Sequence, residues 1–249
     1  MFASDIKLNC FKKFNVSLYN SGFFYSSEKN EGVDKDIINE IMKRNKCQYD
    51  ISVMPRIRIW KSLENGSLDL STSGIQNKER DKFAFFINYI KLKNYIILKK
   101  ELNFHSWQEF LNNKNLKIGV IRGFKHGEAD KWLEILNKEN RVIENVDHNA
   151  LYDSFINHKF DVTIGHPMTF QFYFKNINGL SNLVNVEDWN IDELPIKHGI
   201  ILSKKVFSPE EYEKWKNIVN DIISDGTMFK ILKKYFSAKE AREIVIEKN

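Results

Sequence analysis

Phe14-Asn15-Val16-Ser17-Leu18-Tyr19 alternates apolar and polar side chains at the period of a strand. Val33, Ile37, Ile38, Ile41 and Met42 then recur at helical spacing, with Asp34 placed as a cap. Tyr49 to Met54 reads as a second strand, and Ile57 to Asn65 as a helix that Gly66 stops. Leu68-Asp69-Leu70-Ser71 is a third, short strand. Strand, helix, strand, helix, strand with short connections makes a parallel sheet with helices on both faces. This stretch decides the fold class as α/β.

Working outward, the pattern restarts in mid-chain. Ser106 with Glu109 makes a capping box for a short helix carrying Trp107, Phe110 and Leu111. Leu116 to Ile121, Val142 to Val146 and Asp161 to Ile164 read as strands. Helices fall between them, marked by Ala129, Trp132, Leu133 and Leu136, and by Leu151, Phe155 and Ile156. His198 to Ser203 is a returning strand, and Ser208-Pro209-Glu210-Glu211 caps a long helix running to Ser224. Amphipathic pieces around Phe229-Ile231-Leu232 and Ala241 to Ile244 finish the chain. One α/β unit is thus inserted in another, with extended crossings near residues 89–99 and 194–202. Two such crossings form a hinge, and ligands prefer the cleft between domains.

Composition agrees with a globular chain. Of 249 residues, 42% are hydrophobic and 29% charged, which argues against disorder. The net charge of +5 is spread without long like-charge runs, so the footprint of a nucleic-acid binder is missing. No apolar stretch is long enough to span a membrane as a helix. Met1-Phe2-Ala3-Ser4-Asp5 shows no export signal; an alternative reading makes Phe2-Ala3-Ser4 the remnant of a removed one. The two cysteines cannot form a zinc site alone, and the histidines lack metal-ligand spacing, so no metal and no cofactor is expected. Signatures of a serine hydrolase, zinc protease, P-loop or dinucleotide site are absent, and the reading is a binding protein, not an enzyme.

Five motifs then stand in order. They are Gly32-Val33-Asp34-Lys35-Asp36-Ile37, Leu63-Glu64-Asn65-Gly66-Ser67-Leu68-Asp69, and Ser73-Gly74 leading to Glu79-Arg80 and Phe83. Ile118-Gly119-Val120-Ile121-Arg122-Gly123 and Lys159-Phe160-Asp161-Val162 continue the series. Together they resemble the periplasmic solute-binding proteins of ABC importers, the type 2, family 3 group that includes polar amino-acid receptors. The resemblance implies a two-lobed fold, each lobe a mixed, mostly parallel sheet flanked by helices. Lobe 1 is expected at 1–92 with 198–249, and lobe 2 at 93–197. It implies a monomer in the periplasm that captures a small anionic or zwitterionic molecule and hands it to a membrane permease. A detached sensor module, or a cyclohexadienyl-dehydratase-like enzyme, is the alternative.

The resemblance also places the ligand groups. From spacing alone Arg80 reads as a surface residue paired with Glu79 or Asp81; the resemblance makes it the fork for a ligand carboxylate. Ser71, Thr72, Ser73 and Gly74 stand beside it, and Phe24 or Tyr25 is the ring that lines the cleft. Arg58 or Trp60 reaches the cleft, or else Arg58 is solvated and Trp60 is core. Gly123, Phe124 and Lys125, with His126, lie between a strand and a helix, where free backbone N–H groups favour an anion. The relatives carry hydroxyls where Phe124 and Lys125 stand. His166 occupies the place of their acidic partner for an α-ammonium, or caps the next helix. An ordinary α-amino acid is therefore a poorer fit than a carboxylate lacking that ammonium. In an exported protein Cys10 and Cys47, each just before one of two neighbouring strands, are expected to form a disulfide, two buried thiols being the alternative.

Overall fold

The computed structural model describes residues 7–246, so the N-terminal reading at Met1 to Asp5 lies outside the described residues. The chain forms two compact units, one of Met1–Lys91 with Lys197–Asn249 and one of Leu92–Ile196.

In the first unit the opening pattern becomes β1 (Phe14–Leu18), α1 (Val33–Asn45), β2 (Tyr49–Val53), α2 (Arg56–Asn65) and β3 (Leu70–Gly74), followed by β4 (Ala84–Leu92). In the second unit β5 (Tyr95–Lys99), α3 (Trp107–Asn112), β6 (Ile118–Ile121), α4 (Asp130–Lys138) and β7 (Val142–Asn145) come first. They are followed by α5 (His148–Ile156), β8 (Val162–Gly165), α6 (Pro167–Asn176) and β9 (Val184–Glu187). The chain re-enters the first unit through β10 (Ile196–Ser203), then α7 (Pro209–Ser224), α8 (Thr227–Leu232) and α9 (Ala238–Ile244).

Each unit holds a five-stranded sheet, ordered β2-β1-β3-β10-β4 in the first and β7-β6-β8-β5-β9 in the second. β1 pairs parallel with β2 and β3, while β10 runs antiparallel to β3. In the second sheet β6 is parallel to β7 and β8, and β5 is antiparallel to β8 and β9. Both sheets are therefore mixed around a parallel centre, which places the crossover loops at the C-terminal ends of the parallel strands.

Phe14, Phe207 and Trp215 pack ring against ring in the first core, with centroids 5.7–5.9 Å apart. The second core gathers Ile96, Leu98, Trp107, Phe110, Ile118 and Val162. Gly66 ends α2 in the left-handed conformation, and Ser208 with Glu211 forms the expected capping box on α7. Cys10 and Cys47 are joined as a disulfide. Phe14 lies opposite Tyr49 in the parallel pair, so the segments entering β1 and β2 meet at one sheet edge.

Three local expectations need correction. Asp34 does not cap α1: the cap position is Gly32, without a side-chain bond, and Asp34 turns inward. The third strand runs on to Gly74 instead of ending at Ser71: Ser71 to Gly74 are all buried, and Ser71 and Gly74 pair with Ile201 and Gly199 of β10. Glu109 returns its carboxylate to the N–H of His105, one residue before the Ser106 cap.

Candidate functional site

At the C-terminal edge of β1, β2 and β3 a polar cluster is buried. Asp34, 1% exposed, accepts hydrogen bonds from Thr72 Oγ1 at 2.7 Å, Ser73 Oγ at 2.6 Å and Tyr89 Oη at 2.6 Å. The N–H of Ser73 donates to Tyr89 Oη at 3.2 Å, and Ser73 holds a left-handed φ of 54°. Such a backbone is costly for a residue with a Cβ and persists where its surroundings over-determine it. Here Asp34 and Tyr89 do so. Burial raises the carboxyl pKa of Asp34, against the lowering influence of its three hydroxyl donors and Arg56.

Arg80 is buried, which excludes the exposed-surface alternative. Glu79 instead pairs with Lys82 at 2.7 Å, and Asp81 accepts from Gln76 at 2.9 Å. The Arg80 guanidinium carbon lies 3.8 Å from the centroid of the Trp60 ring, and its Nη1 donates to the Ile75 carbonyl at 2.7 Å. Trp60 sits on the buried face of α2. Arg56, the first residue of that helix, is 3% exposed and donates from Nη1 to the Thr72 carbonyl at 3.0 Å. Its guanidinium carbon lies 4.9 Å from the Tyr19 ring centroid and 5.8 Å from that of Trp60. Arg58, the arginine singled out from the sequence, is exposed on the same helix. Two residues of helical phase separate them: Arg56 shares the buried face with Ile59, Trp60 and Leu63, and Arg58 does not.

Phe24 and Tyr25 are both buried. Phe24 lies 5.6 Å from the His198 ring, and Tyr25 Oη donates to Asn30. Burial lowers His198 to about 4, so its imidazole is neutral near pH 7. Gly74 faces Gly199 across the sheet, and a Cβ added to it would meet Ile201 within 2.4 Å. Gly74 thus has a packing reason of its own.

In the second unit Gly123 turns the chain after β6 with φ 80°. The expectation of free N–H groups here is corrected at two positions. The N–H of Phe124 donates to the Ile121 carbonyl at 3.2 Å, and that of His126 to Asp130 Oδ1 at 2.9 Å. Lys125 is half exposed, its Nζ 3.8 Å from Asp130 Oδ2. Burial takes His126 down to about 4, against Asp130 and together with Lys125. Phe124, His148, Tyr173 and Tyr152 form a run of rings with successive centroids 5.7, 6.1 and 4.4 Å apart. His166 holds the cap position of α6, but its side chain makes no capping bond; its carbonyl accepts from Thr169. Among the described residues no group of three His, Cys, Asp or Glu side chains is arranged to hold a metal ion.

A family profile, that of bacterial extracellular solute-binding proteins, family 3, matches residues 17–238. The chain belongs to that family. Among solved structures, this family 3 protein is similar to the arginine-, lysine-, histidine-binding protein ArtJ from Geobacillus stearothermophilus, with a TM-score of 0.77 and 20% identity over 90% of this chain and 95% of that one. An ancestral arginine-binding protein bound to arginine gives 0.76 and 19%, over 90% and 98%. The ancestral amino acid-binding protein AncCDT-1, a precursor of cyclohexadienyl dehydratase, gives 0.73 and 19%, over 90% and 96%. At these identities the likeness shows the fold. No curated protein sequence matches the chain. The two-lobed periplasmic-binding-protein fold is thus common to this family 3 protein and to receptors for amino acids.

Proposed function

We propose that this chain is an extracytoplasmic receptor that captures a small carboxylate-bearing or amino-acid-like molecule with groups from both units. It hands that molecule to the permease of an ABC importer, working as a monomer and without turnover. The observation that carries the reading is Arg80: its guanidinium carbon lies 3.8 Å from the Trp60 ring centroid and its Nη1 is braced by the Ile75 carbonyl, at a sheet edge of the kind where open α/β folds take ligands. A guanidinium held in place in this way has little rotamer entropy left to lose when it meets a carboxylate. Phe24, Tyr25, Ser73, Gly74 and Arg58 on the first unit, with Gly123, Phe124, Lys125 and His166 on the second, are the further ligand groups in this reading.

A thermal-shift screen against small carboxylates and amino acids, followed by calorimetry, tests it. A carboxylate that binds the native protein should lose about 2–5 kcal/mol on Arg80→Ala, while the unliganded fold survives. Unchanged binding in that variant removes Arg80 from the site. Prephenate should be recovered unaltered after incubation with the protein.

A further inference from the structure

Resting on the receptor reading above, we propose that Asp34 and Tyr89 are positioning residues for Arg80: they hold Ser73 in its left-handed backbone, and that backbone aims the Ile75 carbonyl that braces the guanidinium. Ser73 is gripped from several sides. Its hydroxyl donates to Asp34, 2.8 Å from Oδ1 and 2.6 Å from Oδ2, and its N–H donates to Tyr89 Oη at 3.2 Å. The buried imidazole of His198 hydrogen-bonds its backbone as well. Tyr89 Oη in turn donates to Asp34 Oδ1 at 2.6 Å, so Asp34, Tyr89 and Ser73 close a ring of hydrogen bonds. All of these residues belong to the first unit. A serine at φ 54° sits outside the conformations its Cβ favours, and strain of this kind collects at functional sites.

Two residues beyond Ser73 the chain delivers the Ile75 carbonyl, which accepts from Arg80 Nη1 at 2.7 Å. Gly74, between them, packs on Ile201 and pairs with Gly199, so the direction of this short segment is set by the backbone angles at Ser73. A guanidinium carbon 3.8 Å from the Trp60 ring centroid must stand over the face of the ring, since an in-plane neighbour is kept farther away by the edge atoms. Relaxing Ser73 turns the Ile75 carbonyl away from Nη1 and frees the guanidinium to leave that face. Asp34 also supports Phe24, the candidate ring of this unit, through its own N–H, which donates to the Phe24 carbonyl at 2.9 Å. One buried carboxylate on α1 thus underlies both Phe24 and Arg80. A carboxylate that served the fold alone would leave the place of Arg80 indifferent to Ser73.

The place of Arg80 can be read without ligand, because the ring current of Trp60 moves the Arg80 Nε–H resonance upfield. Arg80→Lys identifies that resonance by removing it from the spectrum of protein labelled with 15N-arginine. Ser73→Ala keeps the Cβ and loses the hydroxyl, and Tyr89→Phe removes the hydroxyl between Asp34 and the Ser73 N–H. Each should lose at least about half of the upfield shift. Ser73→Gly should keep most of it, since glycine takes a positive φ with no carboxylate to hold it there. Lys61→Gln, on the exposed face of α2, should leave it intact. Thermal melts establish that each variant is folded. Calorimetry with L-arginine, L-glutamine and L-glutamate follows. A probe that binds the native protein should bind Ser73→Ala and Tyr89→Phe at least about tenfold more weakly, and Ser73→Gly within about threefold of native. If folded Ser73→Ala and Tyr89→Phe keep the full shift, or Ser73→Gly loses as much as Ser73→Ala, the positioning role is overturned while the receptor reading stands. If the shift collapses but a probe binds those variants as tightly as the native protein, the brace does not serve the ligand and the proposal fails. If none of the three probes binds, the ring-current result alone decides the positioning role, and the receptor reading answers to the wider screen.

Discussion

Asp34 shows how much one buried carboxylate can organise. Its oxygens take hydroxyl donors from Thr72 and Ser73 on β3 and from Tyr89 on β4, and so tie α1 to both strands. Replacing it with Ala leaves three buried hydroxyls short of an acceptor and Arg56 short of a counter-charge. We expect Asp34→Ala to cost about 3–5 kcal/mol, and Asp34→Asn clearly less, because the amide still accepts one bond. The shift in urea midpoint measures both. His126 and His198 set a pH dependence. Burial holds each near 4 in the folded protein, against 6.5 for the free side chain. As pH falls below about 6.5 the unfolded chain takes up these protons first, so stability declines between about 6.5 and 4, by about 3 kcal/mol per imidazole over the full range. Asp34, whose pKa burial raises, works in the opposite sense at the acid end of that range. Denaturation curves across this window should be flatter for His198→Gln than for the native chain; parallel curves would show that His198 is not held neutral by the fold.

At the scale of elements, the disulfide and the strand pairing reinforce each other. Cys10 precedes β1, Cys47 precedes β2, and the bond closes a loop of sequence separation 37. Loop-closure entropy for that length is about 4 kcal/mol, all of it acting on the unfolded chain. Reduction, or a Cys10→Ser/Cys47→Ser pair, should lower the unfolding midpoint by a corresponding amount without loss of secondary structure. A reduced protein that unfolds at the oxidised midpoint would show that the bond adds no net stability. Much at this scale was legible in the order of apolar residues. The β1-α1-β2-α2-β3 run, the Gly66 stop and the Ser208 cap follow from local spacing and side-chain chemistry, which tertiary contacts did not overturn. α2 starts at Arg56, one residue before the start read from the spacing, and Arg56, which the sequence reading did not single out, lies on its buried face while Arg58 is exposed. Two residues of helical phase change which side chain is buried.

For the whole molecule, β4 ends and β10 begins at the boundaries of the two units, so the polypeptide crosses between them in strands. The receptor reading requires that ligand favour one arrangement of the units by its differential contacts. A ligand at about 100 times its dissociation constant should add about 2.7 kcal/mol to stability, seen as a raised melting temperature. Small-angle scattering should then show a smaller radius of gyration with ligand than without. A clear thermal shift at constant radius would mean that capture needs no closure.

The sequence by itself determined the α/β alternation and the family, because each rests on local periodicity or on motifs whose order survives divergence; the Cys10–Cys47 bond, open in the sequence against two buried thiols, was decided by the fold. Only the tertiary structure decided that Asp34 turns inward to three hydroxyls, that Trp60 carries Arg80 on its ring, and that Arg56 is the buried arginine of α2. The partners in each case come from different elements: Asp34 from α1 and Tyr89 from β4, Trp60 from α2 and Arg80 from beyond β3. No local pattern encodes a contact between residues so far apart in the chain. Folding makes them neighbours, and burial then sets their charge and reach.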